Sequence, residues 1–153
     1  DQAEQARAHA ARLHGGGATV IAQPYLASVD DAGETALVYF AGRYSHAIRK
    51  AAILEREGAD GGLFEPERVA GLFAPERITP RAAARDELAV GERVLAAVTK
   101  RIGRSPLYAR VDLIRDDGGQ PRVLELEMTE PSLFLRHAPG SAGRLADAIL
   151  ALA

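Results

Sequence analysis

Residues 108–132 read YARVDLIRDDGGQPRVLELEMTEPS, and this stretch limits the possible fold more than any other. Two runs of alternating character, 108–114 and 122–128, flank Asp116-Asp117-Gly118-Gly119-Gln120. Gly-Gly between two such runs predicts a hairpin. A two-residue turn at Gly118-Gly119 sets Asp112 opposite Glu125 and Arg110 opposite Glu127. Side chains alternate across a strand, so Ala109, Val111, Leu113, Leu124, Leu126 and Met128 then line one face, which suits a core. The other face gathers Arg110, Asp112, Glu125 and Glu127. Three carboxylates are an oxygen-only donor set of the kind that takes a hard divalent cation such as Mg²⁺. An antiparallel hairpin also commonly leaves one face wet, and wet faces carry charge. The hairpin alone leaves both readings open.

A lone hairpin is marginal in water, so the rest of the chain must cover its apolar face. The 153 residues are 47% hydrophobic, enough for one domain with its own core. The net charge of −2 gives no electrostatic basis for binding nucleic acid or an anionic membrane. No apolar run reaches bilayer length, and no signal-peptide pattern is visible. The absence of cysteine removes disulfides and thiolate metal sites, and a cytoplasmic setting is the expectation.

Residues 1–14 form an alanine-rich amphipathic helix pattern that Gly15-Gly16-Gly17 should end. A short β-branched strand follows at 19–22, leading into Gln23-Pro24-Tyr25-Leu26, where the proline should end it. Residues 28–33, SVDDAG, read as a polar loop. Residues 34–50, ETALVYFAGRYSHAIRK, predict a second hairpin turning at Ala41-Gly42, with Glu34 across from Arg49 and Leu37 across from His46. On that register Arg49 shares a face with Glu34, Ala36, Val38 and Phe40. Residues 51–80 read as a long loop able to order over a ligand, carrying the local repeat LFEPERV (63–69) and LFAPERI (72–78). A helix over 83–102 should bury Leu88, Val94, Leu95, Val98 and Ile102. Ser141 should cap a last helix that turns Leu145, Ala148, Ile149 and Leu152 inward. The fold class expected is α+β, a mainly antiparallel sheet of hairpins covered by helices.

In order and spacing, VIAQPYL, GETALVYF, SHAIRK, YARVDLI and VLELEMTEPS resemble the C-terminal half of ATP-grasp ligases of the glutathione-synthetase-like group, in particular small ligases that join amino-acid building blocks. The likeness runs from about Val20 to Phe134. It implies ATP and Mg²⁺ as cofactors, two ions for which Mn²⁺ can substitute, and small-molecule carboxylate and amine substrates. It implies that the backbone around Gln23, Tyr25 and Leu26 receives adenine, and that Asp30 or Glu34 contacts ribose. Arg49 falls where the family has a basic residue near the transferring phosphoryl group, with Lys50 a second candidate. Asp112 and Glu125 match metal ligands; Glu127 stands where many relatives have asparagine, which makes the site more negative. Arg110, beside them, can offset charge or contact phosphate. His46 reads more simply as a packed, hydrogen-bonded histidine. Family members are often dimers or tetramers, which makes homo-oligomerisation an expectation.

The same resemblance makes this one domain, 1–153, the C-terminal part of an ATP-grasp fold. A substrate-binding domain and a first lobe, whose lysines grip the ATP phosphates, are expected outside it; the chain has only Lys50 and Lys100. Inactivity of these residues alone is a corollary. The alternatives are a non-catalytic nucleotide- or metal-binding domain, and an interaction module whose acidic face is solvated surface.

Overall fold

The structure, a computed structural model, describes residues 2–52 and 77–152. Helix α1 (Gln2–Gly15) and the short α2 (Ser28–Ala32) precede the sheet strands β1 (Glu34–Phe40), β2 (Arg43–Lys50) and β3 (Ile78–Arg81). Helix α3 (Arg85–Ile102), strands β4 (Tyr108–Arg115) and β5 (Pro121–Glu127), a 3-10 turn (Leu135–His137) and helix α4 (Ser141–Leu150) follow. The strands form one sheet in the order β3-β2-β1-β4-β5, antiparallel at every step. The architecture is the expected α+β one.

Both hairpins form, and each carries a one-residue irregularity. In the first, Ala41 (φ 46°) and Gly42 (φ 77°) make a two-residue turn with both residues left-handed, which suits the twist of the flanking strands. Phe40 pairs with Arg43 and Tyr39 with Tyr44, but Val38 pairs with His46, leaving Ser45 over. That bulge corrects the expected register: Glu34 lies across from Lys50, and Leu37 from Ala47. In the second, the connection is the five-residue loop 116–120, and a bulge between Asp112 and Leu113 restores the pairs Arg110–Glu127 and Asp112–Glu125. The expected pairing at the acidic end is therefore observed by a different route. Leu124, expected in the core, is displaced at the bulge and 41% exposed.

One sheet face packs Leu37, Tyr39, Ala47, Ala109, Val111 and Leu113 against Leu95 of α3, with Leu88, Val94, Leu126 and Met128 around them. Gly91 of α3 makes this approach possible, since a Cβ there would lie 2.0 Å from the Tyr39 hydroxyl. Helix α3 begins where the Glu87 carboxylate accepts the Ala84 N–H at 2.8 Å and ends at Gly103 (φ 78°). Ile102, expected inside, is 48% exposed because it sits on the last turn, past the sheet contact. On the other face, Val38 and Phe40 pack against Ala148 and Leu145 of α4 and against Leu133 and Leu135.

Other expectations need correction. Residues 18–26 form no strand, and 28–32 form a helical turn instead of a loop. The span read as a loop over 51–80 contains β3, which pairs with β2 from Ile78 to Arg81. The repeat at 63–69 and most of its second copy lie outside the described residues. Ser141 does not cap α4, whose N-terminal flank is Gly140; the buried Ser141 hydroxyl donates to the Leu135 carbonyl at 3.1 Å. Ile149 and Leu152 are exposed, because only Leu145 and Ala148 of α4 reach the sheet cluster.

Candidate functional site

Strand alternation turns Glu34, Ala36, Val38 and Phe40 toward the face that α4 covers at one end only. The pairings Ala36–Asp112 and Val38–Arg110 bring the centre of β4 to that face, and Asp112–Glu125 and Arg110–Glu127 add β5. The bulge at Ser45 adds β2: His46, Ile48 and Lys50 join this face, and Arg49, paired with Thr35, leaves it. The end that α4 does not reach thus holds Glu34, Lys50, Arg110, Asp112, Glu125 and Glu127.

Asp112 is the centre of the group and is 1% exposed. Its Oδ1 accepts the Arg110 Nε–H at 2.8 Å, and its Oδ2 accepts from Arg110 NH2 and from Lys50 Nζ, each at 2.9 Å. Lys50 also reaches the Glu34 carboxylate at 3.0 Å. Arg110 NH2 bonds Glu127 and lies 3.8 Å from the Glu125 carboxylate. Such charge-assisted, bidentate contacts fix a guanidinium firmly. Arg110 is further held by the Ser132 carbonyl, 3.4 Å from NH1, and by the Phe134 ring, whose centroid is 5.5 Å from its Cζ.

Among the described residues, four carboxylates face two cations here, so one divalent cation would bring the group to neutrality. Oxygen atoms of Asp112, Glu125 and Glu127 lie within 4.8 Å of one another, and carboxylate oxygens suit Mg²⁺. The Glu125 side chain is 54% exposed. Burial raises the Glu127 pKa above its ordinary value; Arg110 opposes this, and Glu125 and Asp112 add to it. Excess negative charge is the electrostatic signature a cation would relieve. Burial lowers the Lys50 pKa, but hydrogen bonds and proximity to Asp112 and then Glu34 outweigh it, so the ammonium is held charged.

All six of these residues are legible in the sequence, where the resemblance puts Arg49 ahead of Lys50 as the basic residue near the transferring phosphoryl group. In the structure Arg49 donates to the Ala32 carbonyl at 2.6 Å and the Asp31 carbonyl at 2.7 Å, anchoring α2 to β2. Gln23 and Tyr25 are exposed and Leu26 is half-buried, in a segment that pairs with no strand among the described residues. The Tyr25 hydroxyl donates to the Asp30 carboxylate. His46 is packed and hydrogen-bonded, as expected: Nε2 is 2.9 Å from the Leu133 carbonyl and Nδ1 2.9 Å from the Ser45 hydroxyl. Phe134 and Ser132 were not singled out, and only their position after the hairpin could have suggested them.

No protein-family model matches the chain. Over 149 residues it is 43% identical to the cycloserine biosynthesis protein DcsG of Streptomyces lavendulae, a match covering 96% of this chain and 46% of that protein. The crystal structure of the D-cycloserine synthetase DcsG aligns with a TM-score of 0.77 at 41% identity, over 98% of this chain and 48% of that one. A structure of the ATP-grasp ligase PsnB with a variant precursor, Mg and ADP aligns with a TM-score of 0.48 at 20% identity, over 77% of this chain and 31% of that one. The chain spans about half the length of the DcsG relatives it matches.

Proposed function

Because the chain is a close homologue of part of the D-cycloserine synthetase DcsG, we propose that it is the metal- and phosphate-handling part of an ATP-grasp ligase that joins a carboxylate to an amine. A substrate carboxylate oxygen attacks the γ-phosphorus of ATP, ADP leaves, and an acyl phosphate forms. The amine attacks the acyl carbon, phosphate leaves, and the amine gives up a proton to solvent. The products are an amide, ADP and inorganic phosphate. Neither step needs a protein nucleophile; positioning and charge compensation supply the catalysis.

The observation that carries this reading is the convergence of Asp112, Glu125 and Glu127 with Lys50 and Arg110 at the end of one sheet face that α4 does not reach. In this reading the three carboxylates hold Mg²⁺, two ions with Mn²⁺ able to substitute. Bound there, the metal supplies neutralisation of phosphate charge. Lys50 and Arg110 stabilise charge on the transferring group, and Arg110 also keeps Asp112 and Glu127 oriented. Glu34 holds Lys50 in place or meets the ribose. The backbone of Gln23, Tyr25 and Leu26 meets adenine. DcsG's role in cycloserine biosynthesis supports small amino-acid-derived substrates, and a cytoplasmic location belongs to the same reading.

The test is ADP and phosphate release by the full-length protein, dependent on both an acid and an amine. Asp112→Asn and Glu125→Gln should each lower kcat by about 10²-fold or more, the loss expected when charge stabilisation at a transferring group is removed. Unchanged turnover in both variants would remove the metal assignment.

A further inference from the structure

Beyond the ionised cluster, this face carries, among the described residues, one buried polar side chain that the proposed reaction does not use. His46 is 7% exposed and lies between the β2 bulge and the segment after β5. Its hydrogen-bond partners determine its state. The Leu133 carbonyl can only accept, so the Nε2 beside it at 2.9 Å carries the proton. Arg144 of α4 donates its Nε–H to the Ser45 hydroxyl at 3.0 Å. That hydroxyl's own hydrogen is then free to turn to His46 Nδ1, 2.9 Å away. This pattern of partners is the one a neutral ring protonated at Nε2 satisfies. Burial, the largest influence, lowers its pKa, and Arg144 lowers it further against the opposing effect of the Leu133 carbonyl.

The segment His46 grips is the one that covers Arg110. Ser132 and Phe134, on either side of Leu133, provide the carbonyl and the ring against that guanidinium. Glu130 (φ 48°) and Phe134 (φ 50°) both take left-handed backbone without being glycine, a conformation that surrounding contacts must sustain. We infer that His46 is a positioning residue, fixing through its Nε2–H bond to Leu133 the loop that holds Arg110 over Asp112 and Glu127. The relay Arg144–Ser45–His46–Leu133 thereby connects α4 to the carboxylate cluster, and the bulge that brings Lys50 to the face also supplies the hydroxyl that sets the histidine tautomer. The kinetic arm of its test rests on the ligase reading; the spectroscopic arm does not.

In the full-length protein, long-range ¹⁵N–¹H spectra should show His46 as the neutral Nε2–H tautomer at pH 7, and a Nδ1–H tautomer or a charged ring would overturn the inference. The Arg110 Nε–H resonance, set by Phe134 and Asp112, should move toward the position of an exposed arginine in His46→Leu. It should return in His46→Gln, whose amide can still donate to Leu133. An unmoved Arg110 signal in His46→Leu would equally overturn it. In the ligase assay, His46→Leu should raise the Mg²⁺ concentration for half-maximal rate about tenfold, the lower end for groups that orient metal ligands. His46→Gln should restore it, and Val98→Ala, destabilised from the opposite face, should leave it unchanged. If the wild type shows no acid- and amine-dependent turnover, the ligase reading fails while the tautomer and the Arg110 signal still decide this one.

Discussion

Lys50 and Arg49 are neighbours in sequence, yet they meet different environments. Lys50 shares its ammonium between two carboxylates of the acidic group, whereas Arg49 bonds two backbone carbonyls. Lys50→Met should therefore lower kcat/KM of the full-length protein by about 10²-fold, the scale of one preorganised charge at a transferring phosphoryl group. Arg49→Met should instead cost about 1–3 kcal/mol of stability, the scale of hydrogen bonds made by a charged donor, with a much smaller kinetic effect. Steady-state kinetics beside thermal melts separate these, and a larger kinetic loss at Arg49 would contradict the assignment. Asp86 gives a second prediction at this scale. The Arg115 guanidinium, first among the causes, holds the Asp86 pKa down at about 2, helped by backbone N–H donation. A depressed carboxylate pKa stabilises the fold at pH values above the unfolded carboxylate range, and that contribution disappears as pH falls toward about 2. Between about pH 4 and 2, the unfolded and folded values, wild type should lose its stability advantage over Asp86→Asn. A constant difference over that window in acid titrations would contradict this.

Helix α3 meets the sheet through a contact with no slack. Tyr39 is buried, its hydroxyl has no hydrogen-bond partner among the described residues, and the nearest space is the absent side chain of Gly91. Gly91→Ala should destabilise by about 1–3 kcal/mol through overpacking. Tyr39→Phe, which removes an unsatisfied buried hydroxyl, should be neutral or stabilising by about 1 kcal/mol. The pair should be coupled, Gly91→Ala costing less in the Tyr39→Phe background than in the wild type; strict additivity in denaturant melts would show that the hydroxyl is not what the methyl meets. The elements themselves were largely legible, because both hairpins carry alternation and a glycine turn and α3 carries a 3.6-residue stripe between Pro80 and Gly103. Registers were not. Nothing in SHAIRK marks Ser45 as the extra residue, since a bulge is selected by tertiary fit of the strands on either side. In the second hairpin a two-residue turn is shorter than the loop that forms, and no local pattern marks the bulge; the two departures cancel at Asp112, which is why the carboxylate pairing survives. The short strand at 78–81 was hidden because Pro80 argues against a strand, and an edge position is where a proline is tolerated.

Taken whole, the molecule divides one sheet face between two uses. The end toward the Ala41-Gly42 turn is apolar and closed by α4; the opposite end gathers four carboxylates and two cations with no described helix over it. The side chains at this charged end are legible by residue type, but their shared location depends on three strand pairings and a bulge, which no local pattern encodes. The excess of negative charge there has a measurable consequence. The Glu127 pKa is raised, chiefly by burial, so in the protein without metal this one group's contribution to stability falls as pH rises through its folded value. A divalent cation favours the ionised form and reverses that slope, so binding should release protons and tighten as pH rises. In thermal melts of the full-length protein at neutral pH, Mg²⁺ at about 100 times its dissociation constant should add about 2.7 kcal/mol of stability, as mass action requires for one site. The gain should shrink as the solution is acidified into the range where Glu127 protonates, and should be absent in Asp112→Asn at every pH. Sodium at matched ionic strength should not reproduce it, because screening weakens the repulsion among the carboxylates without supplying a ligand for their oxygens. A Mg²⁺ effect that sodium duplicates, or that persists in Asp112→Asn, would mean that these carboxylates form a solvated surface and that the phosphate-handling reading of this face is wrong.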